Sequence, residues 1–259
     1  MNGKVYVVGN FKGGVGKTKL TTMLSYQSAV QKGRKTLVID MDPQGNATRV
    51  LAKTGGISTI NHTITQAFEE GDLQPYIVPV LDNLDMIPSN TTFRNLPRQL
   101  AALFPEDEDA QIFYLHNLLI PIKKQYDAIY IDVPPTISDY SDNAMLAADY
   151  CIIVLQTQEL SLDGVKTYVG YMQYLADRYR SGLNVLGIVP MLLRPGGRVD
   201  NKVLEEAKDL YGGNVLKNII RYQERLKVYD VEGIALYPHA KKMDNWDKRA
   251  HQVFIDILE

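Results

Sequence analysis

GNFKGGVGKTKL, residues 9–20, places three glycines between two lysines, Lys12 and Lys17, and follows the second lysine with Thr18. The stretch joins an apolar run, KVYVVGN (4–10), to a segment of helical length that begins at Lys17. A glycine-rich turn between a buried strand and a helix lets successive backbone N–H groups point at one anion, and the helix N-terminus adds partial positive charge. The stretch therefore predicts a phosphate-binding loop.

The side chains of the loop predict what it binds. Lys17 is placed to reach the β- and γ-phosphates of a nucleotide, and the hydroxyl of Thr18 to ligate Mg²⁺. The common form of this loop would start with glycine at position 11, where the chain has Phe11. The chain therefore carries a variant that is distinguished by Lys12. The residues of the loop predicted to bind the nucleotide are Gly13, Gly14, Val15, Gly16, Lys17 and Thr18.

Three carboxylates follow two further apolar runs. VIDMDPQGN (38–46) carries Asp40 and Asp42 two residues apart at the end of a predicted strand, so both can face the same side. AIYIDVPPT (128–136) ends a second strand in Asp132, where a carboxylate can hold Mg²⁺ through a water molecule. We predict a magnesium site that includes Thr18 and Asp132.

Composition bounds the class of protein. The chain has 259 residues, of which 45% are hydrophobic and 22% charged, enough for one large α/β domain over residues 1–259. The single cysteine, Cys151, lies in an apolar run and is expected to be a buried thiol. No run approaches the roughly 18 apolar residues of a membrane span, and no signal peptide is evident, so we expect a cytoplasmic protein. The net charge of −2 requires any nucleic-acid site to be a local patch.

Apolar runs alternate with amphipathic segments, a pattern typical of a mostly parallel, twisted sheet with helices on both faces. Strands are predicted at 4–10, 35–40, 128–133, 150–155 and 184–190, with shorter ones at 76–80 and 84–88. Helices are predicted at 17–32, 91–104, 110–124, 138–147, 161–180, 199–211, 223–231 and 243–257. The acidic PEDED (105–109) is predicted to be a solvated loop.

The segment KGGVGKT (12–18) resembles the deviant Walker A box of the ParA/MinD group of P-loop ATPases. The resemblance implies ATP as ligand, and a homodimer in which Lys12 contacts the partner subunit's nucleotide and couples hydrolysis to dimerisation. It also implies that Asp40 lies near the magnesium shell and that Asp42 orients the attacking water. Family members commonly carry a hydroxyl residue at the α-phosphate where this chain has Lys19, whose cation could approach the phosphate or turn to solvent.

Segments further along the chain are similar to ParA proteins. LDMIPSN, QTQELSLDGV and NIIRYQERLKVYDVEGIALY resemble ParA stretches, and Arg221 and Arg225 fall on two arginines of the last one. In ParA proteins that surface binds DNA without sequence preference. Eight basic and five acidic residues between positions 194 and 227 leave a local charge of +3, which by itself is also typical of a solvated helix face.

Other members of the group fit the chain less well. A MinD-like membrane regulator is expected to end in a basic amphipathic helix, whereas here Phe254, Ile255 and Leu258 are predicted to pack on the core. An electron carrier with a metal cluster would need more than one cysteine. Because the first strand begins at Lys4, we expect no N-terminal helix-turn-helix region.

The resemblance implies a short ParA-type DNA-partition ATPase. Such a protein would bind Mg·ATP, dimerise, coat nonspecific DNA at the nucleoid, and turn over slowly until a ParB-type centromere-binding partner stimulates hydrolysis. The competing hypotheses are a scaffold that positions a protein cargo without binding DNA, and a MinD-like regulator. The adenine is expected near Pro190 and Pro238.

Overall fold

The computed structural model describes residues 3–156, 161–193, 197–236 and 244–259. Within these ranges eight strands form one sheet in the order β3-β4-β2-β5-β1-β6-β7-β8, and each neighbouring pair is parallel except β3 with β4. The strands are β1 (Lys4–Gly9), β2 (Thr36–Asp40), β3 (Val78–Leu81), β4 (Leu84–Ile87), β5 (Ala128–Asp132), β6 (Tyr150–Gln156), β7 (Asn184–Leu193) and β8 (Ile220–Arg221).

The helices of the described ranges connect these strands. They are α1 (Lys17–Val30), α2 (Asn46–Thr54), α3 (Ile64–Glu70), α4 (Leu96–Leu103), α5 (Glu108–Ile112), α6 (Tyr114–Leu119), α7 (Asp139–Ala147), α8 (Ser161–Tyr179), α9 (Arg198–Tyr211), α10 (Glu224–Glu232) and α11 (Asn245–Ile257). No helix in the part of the chain described here combines the length and apolarity that a membrane crossing requires.

The sheet separates two large hydrophobic cores because successive side chains of a strand point to opposite faces. A smaller third cluster joins α1 and α2 to β2, β3 and β4. In β1, Val5 and Val7 pack into one core and Val8 into the other. Helices α3, α4 and α6–α9 complete the first core, and α1, α10 and α11 complete the second. The predicted fold class, an α/β fold with a mostly parallel sheet covered on both faces, is confirmed.

The predicted core residues near the C-terminus lie in α11 and just after it. Phe254 is fully buried in the second core, Leu258 packs against that core, and Ile255 is half-buried. Cys151 is a fully buried free thiol, and burial raises its pKa to about 12. This thiol is therefore protonated at neutral pH.

Several element predictions were wrong in detail. The predicted helix over 110–124 is two short helices and a 3₁₀ turn at 123–125, with Pro121 following the end of α6. The PEDED segment is not wholly a loop, since α5 begins at Glu108 and the side chain of Asp107 accepts a hydrogen bond from the amide of Ala110, 2.9 Å away. Helices α2 and α3 and the two-residue strand β8 were not predicted from the sequence.

Candidate functional site

The residues predicted to bind nucleotide and Mg²⁺ lie at the carboxyl ends of three neighbouring strands. Strand β5 lies between β1 and β2, and Asp132 is in register with Val8 on one side and with Asp40 on the other. The glycine-rich loop follows β1 directly. This is the edge of an open parallel sheet at which ligands bind.

The loop adopts a backbone conformation that needs its glycines. Gly14 and Gly16 have φ angles of 72° and 102°, in the left-handed region that residues with a β-carbon rarely adopt. A β-carbon on Gly16 would also lie 2.9 Å from Cε of Met191. Because α1 begins at Lys17 directly after the loop, its unsatisfied N–H groups lie beside the loop and can bind phosphate.

Lys17 folds back over the loop. Its Nζ donates a hydrogen bond of 3.1 Å to the carbonyl of Lys12, and its side chain is buried. Burial lowers the pKa of Lys17, while the charges of Asp132 and Asp42 oppose that shift. The ammonium is thus held inside the loop near two carboxylates, where a phosphate group would be a strong partner.

Asp132 and Thr18 are in direct contact. The Thr18 hydroxyl donates to Oδ2 of Asp132 at 2.7 Å, and the Thr21 hydroxyl donates to Oδ1 at 3.2 Å. Asp132 is fully buried, and burial together with the charge of Asp40 raises its pKa. A hydroxyl beside a carboxylate supplies the hard oxygen donors that Mg²⁺ prefers, so the residues present fit that ion.

Asp40 and Asp42 occupy different positions despite their spacing. Asp40 is buried, and its Oδ2 accepts hydrogen bonds from the amide (2.8 Å) and the hydroxyl (2.7 Å) of Thr48 in α2. Asp42 lines the cavity described below and accepts a 2.9 Å hydrogen bond from the amide of Gln44. Asp40 therefore anchors α2, whereas Asp42 faces the space where a ligand would lie.

The backbone of Lys12 is positioned by a residue that was not predicted to belong to the site. The fully buried Asn10 accepts a 2.8 Å hydrogen bond from the amide of Lys12 and donates one of 2.7 Å to the carbonyl of Val154 in β6. Its side-chain amide thereby ties the start of the loop to the neighbouring strand. An asparagine directly after a buried strand was the available signal.

The loop forms one wall of a cavity of about 620 Å³. The start of α2 forms a second wall, and Leu192 in β7, the two residues after β8 and helix α10 form a third. Pro190, expected near an adenine, lies within β7 in register with Leu155, and Pro238 lies outside the described residues. Lining residues that the sequence analysis did not identify as site residues include Arg49, Leu192, Tyr222, Gln223, Leu226 and Asp230.

Lys19 also lines this cavity, but its ammonium is directed to α10. It donates to the carbonyl of Leu226 and forms an ion pair with the carboxylate of Asp230. Only 10% of the Lys19 side chain is exposed. The cation that replaces the expected hydroxyl residue therefore has protein partners rather than pointing into solvent.

The two arginines of the predicted DNA surface differ in their surroundings. Arg221 is exposed on the edge strand β8. Arg225 in α10 pairs with Asp244 and with Asp247, whose Oδ1 lies 3.3 Å from its Nε. Arg225 thus connects α10 to the start of α11, while Arg221 presents its charge to solvent.

Known proteins are similar to this chain over most of its length. A family model described as an AAA domain matches residues 3–185. The chain is 29% identical to the chromosome partitioning protein ParA of Myxococcus xanthus, covering 86% of this chain and 77% of that protein. It is 28% identical to the chromosome-partitioning ATPase Soj of Treponema pallidum, covering 90% and 89%.

The fold is also similar to that of solved structures. A putative plasmid partition protein of Borrelia burgdorferi, bound to AMPPNP, superimposes with a TM-score of 0.78 at 22% identity, covering 100% of this chain and 98% of the other. At that level of identity the likeness concerns the fold. It extends over both faces of the sheet, beyond the stretch matched by the family model.

Proposed function

The chain belongs to the AAA-domain family and is a P-loop ATPase of the ParA/MinD type, and from this premise we propose that it is a DNA-partition ATPase. In this proposal the protein binds Mg·ATP, forms a homodimer, and then binds DNA without sequence preference. A ParB-type centromere-binding partner stimulates its slow hydrolysis and returns it to the monomer. The partition names of two relatives support the proposal.

The observation that carries the proposal is the placement of two lysines around one glycine loop. Lys17 lies inside the loop on the carbonyl of Lys12, while the backbone of Lys12 is fixed by Asn10 at the loop entrance. A lysine inside the loop serves the nucleotide of its own subunit. A second lysine at the entrance is suited to contact a nucleotide bound by another copy of the chain.

The remaining residues have distinct proposed roles around the nucleotide. The loop amides and Lys17 bind the β- and γ-phosphates, and Lys19 contributes positive charge at the phosphate chain. Thr18 and Asp132 would hold Mg²⁺. Asp40 lies opposite Asp132, at the end of the neighbouring strand β2. When bound, the ion neutralises charge on the phosphate oxygens.

Asp42 is proposed to orient the attacking water. Its carboxylate faces the cavity, and its bond to the amide of Gln44 fixes its direction. A general base or water-positioning group must lie within hydrogen-bond reach of the nucleophile. The carboxylate of Asp42 faces the cavity, so it can reach a water molecule bound there. Slow intrinsic turnover follows if this alignment is completed only in the dimer with its partner bound.

The proposed DNA surface uses Arg221 and Arg225 near the cavity. Nonspecific DNA binding requires positive charge that can reach phosphates, not base-reading geometry. Tyr222 and Gln223, which lie between the two arginines in the chain, line the cavity. A bound nucleotide would therefore lie close to the segment that carries the proposed DNA contacts. A protein that binds DNA in this way would be nucleoid-associated.

The roles of the two lysines are tested by separate substitutions. We expect Lys17→Ala to weaken binding of a nonhydrolysable ATP analogue about 10- to 100-fold, because a buried charge-assisted contact is lost. We expect Lys12→Ala to bind the analogue normally and to lose hydrolysis at saturating ATP. Binding is measured by calorimetry and hydrolysis by phosphate release.

Lys202→Ala, on the exposed face of α9, is the matched control and should change neither quantity. Equal loss of analogue binding in Lys12→Ala and Lys17→Ala would contradict the separation of roles. Full hydrolysis by Lys12→Ala would contradict the role of Lys12 in the dimer.

A further inference from the structure

The contact between Lys19 and α10 places the anionic side chain of Asp230 at a cavity that is suited to phosphate. Lys19 lies in the first turn of α1, and Asp230 lies on the facing turn of α10; both line the cavity. Their ion pair is supplemented by the hydrogen bond from Lys19 to the carbonyl of Leu226, one helical turn earlier in α10. One ammonium thus bridges two consecutive turns of a helix far along the chain.

The two partners are unequally buried. The Lys19 side chain is 10% exposed, whereas Asp230 is 52% exposed. The buried cation therefore needs an anionic partner, whereas water can solvate Asp230 once it leaves the pair.

A nucleotide phosphate chain is a stronger partner for this cation than Asp230. It carries several negative charges beside Lys17 and the loop amides, and Lys19 lines the same cavity as Lys17. Asp230 on the same cavity wall would meanwhile repel the phosphates, because like charges across a partly buried site are weakly screened.

We propose that Asp230 competes with the nucleotide phosphate chain for the ammonium of Lys19, and that this exchange sets the nucleotide affinity of the protein. The inference rests on the proposed function, which places the phosphates at residues 13–19. In it Lys19 is a phosphate ligand, and Asp230 is a positioning residue that weakens binding.

The exchange is tested by a double-mutant cycle with Mg·ADP, whose binding is measured by calorimetry. We expect Asp230→Asn to tighten Mg·ADP binding about fivefold, the size of one partly exposed charge interaction. In a Lys19→Met background, where only the repulsion by Asp230 remains to be removed, the same substitution should tighten binding by about twofold or less. Lys19→Met keeps most of the apolar stem of the side chain.

Glu232→Gln is the matched control, because it removes the same charge from an exposed position of α10 that does not line the cavity. It should leave the affinity for Mg·ADP within about twofold of the unaltered protein. Thermal unfolding of each variant verifies that the fold is retained.

The cycle separates failure of the inference from failure of the proposed function. Equal tightening by Asp230→Asn in both backgrounds would show simple repulsion and overturn the exchange, as would unchanged or weaker binding in the presence of Lys19. An unaltered protein that bound no Mg·ADP would overturn the proposed function and the inference together.

Discussion

The burial of Asp132 suits the proposed magnesium site but lowers the stability of the folded protein. It is fully buried beside Asp40, and burial raises its pKa to about 8 from an ordinary value of 3.8. The unfolded chain loses this proton near pH 4 and the folded protein keeps it to about pH 8. Between these values the folded state binds more protons, so the contribution of Asp132 to stability falls as the pH rises.

Replacing this carboxyl should therefore stabilise the protein. We expect Asp132→Asn without nucleotide to raise the free energy of unfolding by about 1–2 kcal/mol at pH 8, with a smaller gain at pH 5. ATP hydrolysis should fall, because the proposed magnesium site loses its carboxylate. Denaturant unfolding at the two pH values measures the gain.

The control is Asp85→Asn, which changes a buried carboxyl that is well paired. Asp85 lies 2.7 Å from Nζ of Lys35 and accepts a 2.9 Å hydrogen bond from the hydroxyl of Tyr126. This substitution should destabilise the protein. An Asp132→Asn variant that is less stable than the unaltered protein at pH 8 would refute the account of Asp132.

At the scale of elements, α10 is held by its neighbours on several sides. Lys19 of α1 contacts it at Leu226 and Asp230, and Arg225 joins it to the start of α11. Just after α10, the amide of Ile234 donates a 2.9 Å hydrogen bond to the hydroxyl of Thr54, the last residue of α2. Helix α10 therefore links the phosphate loop, the segment after Asp42 and the C-terminal helix.

These contacts predict different outcomes for the two proposed DNA-binding arginines. We expect Arg225→Ala to weaken DNA binding and also to reduce stability by about 1 kcal/mol, because it removes a partly buried link to Asp244 and Asp247. Arg221→Ala should weaken DNA binding with stability unchanged within about 0.5 kcal/mol, as is usual for exposed positions.

Filter binding of duplex DNA with ATP, at several salt concentrations, and thermal unfolding measure the two effects. Each substitution should reduce the slope of log affinity against log salt by about one. Unchanged DNA affinity in Arg221→Ala would place the DNA surface elsewhere.

Elements with a local sequence pattern could be predicted, whereas elements that depend on distant contacts could not. The strands β1, β2, β5, β6 and β7 are continuous apolar runs, and this pattern predicted them. Helix α3 was missed although Thr63 and Gln66 form a capping box, a signal readable from the sequence. Strand β8 has only two residues, and it is a strand because it pairs with β7. No local sequence pattern reveals such a pairing.

At the scale of the whole molecule, the sheet order assembles the site from distant segments. The loop glycines, the two lysines and the three carboxylates were identified from local motifs, and the resemblance of those motifs to the ParA/MinD group supplied the expected roles of Lys12, Asp40 and Asp42. The wall formed by Tyr222, Leu226 and Asp230 was not predicted as part of the site, since about two hundred residues separate it from the loop. The partnership of Lys19 with Asp230 was hidden for the same reason.

The central claim is that ATP converts the protein into a dimer that binds DNA without sequence preference. It is tested most directly by measuring binding of a nonspecific DNA duplex with ATP, with ADP and with no nucleotide. The Asp42→Ala variant, in which hydrolysis should be suppressed, is used for this, and light scattering reports the dimer. We predict a dimer and DNA binding with ATP alone, and affinity that falls steeply as salt rises. An ATP-bound dimer that does not bind DNA, or equal DNA binding in all three conditions, would contradict the account.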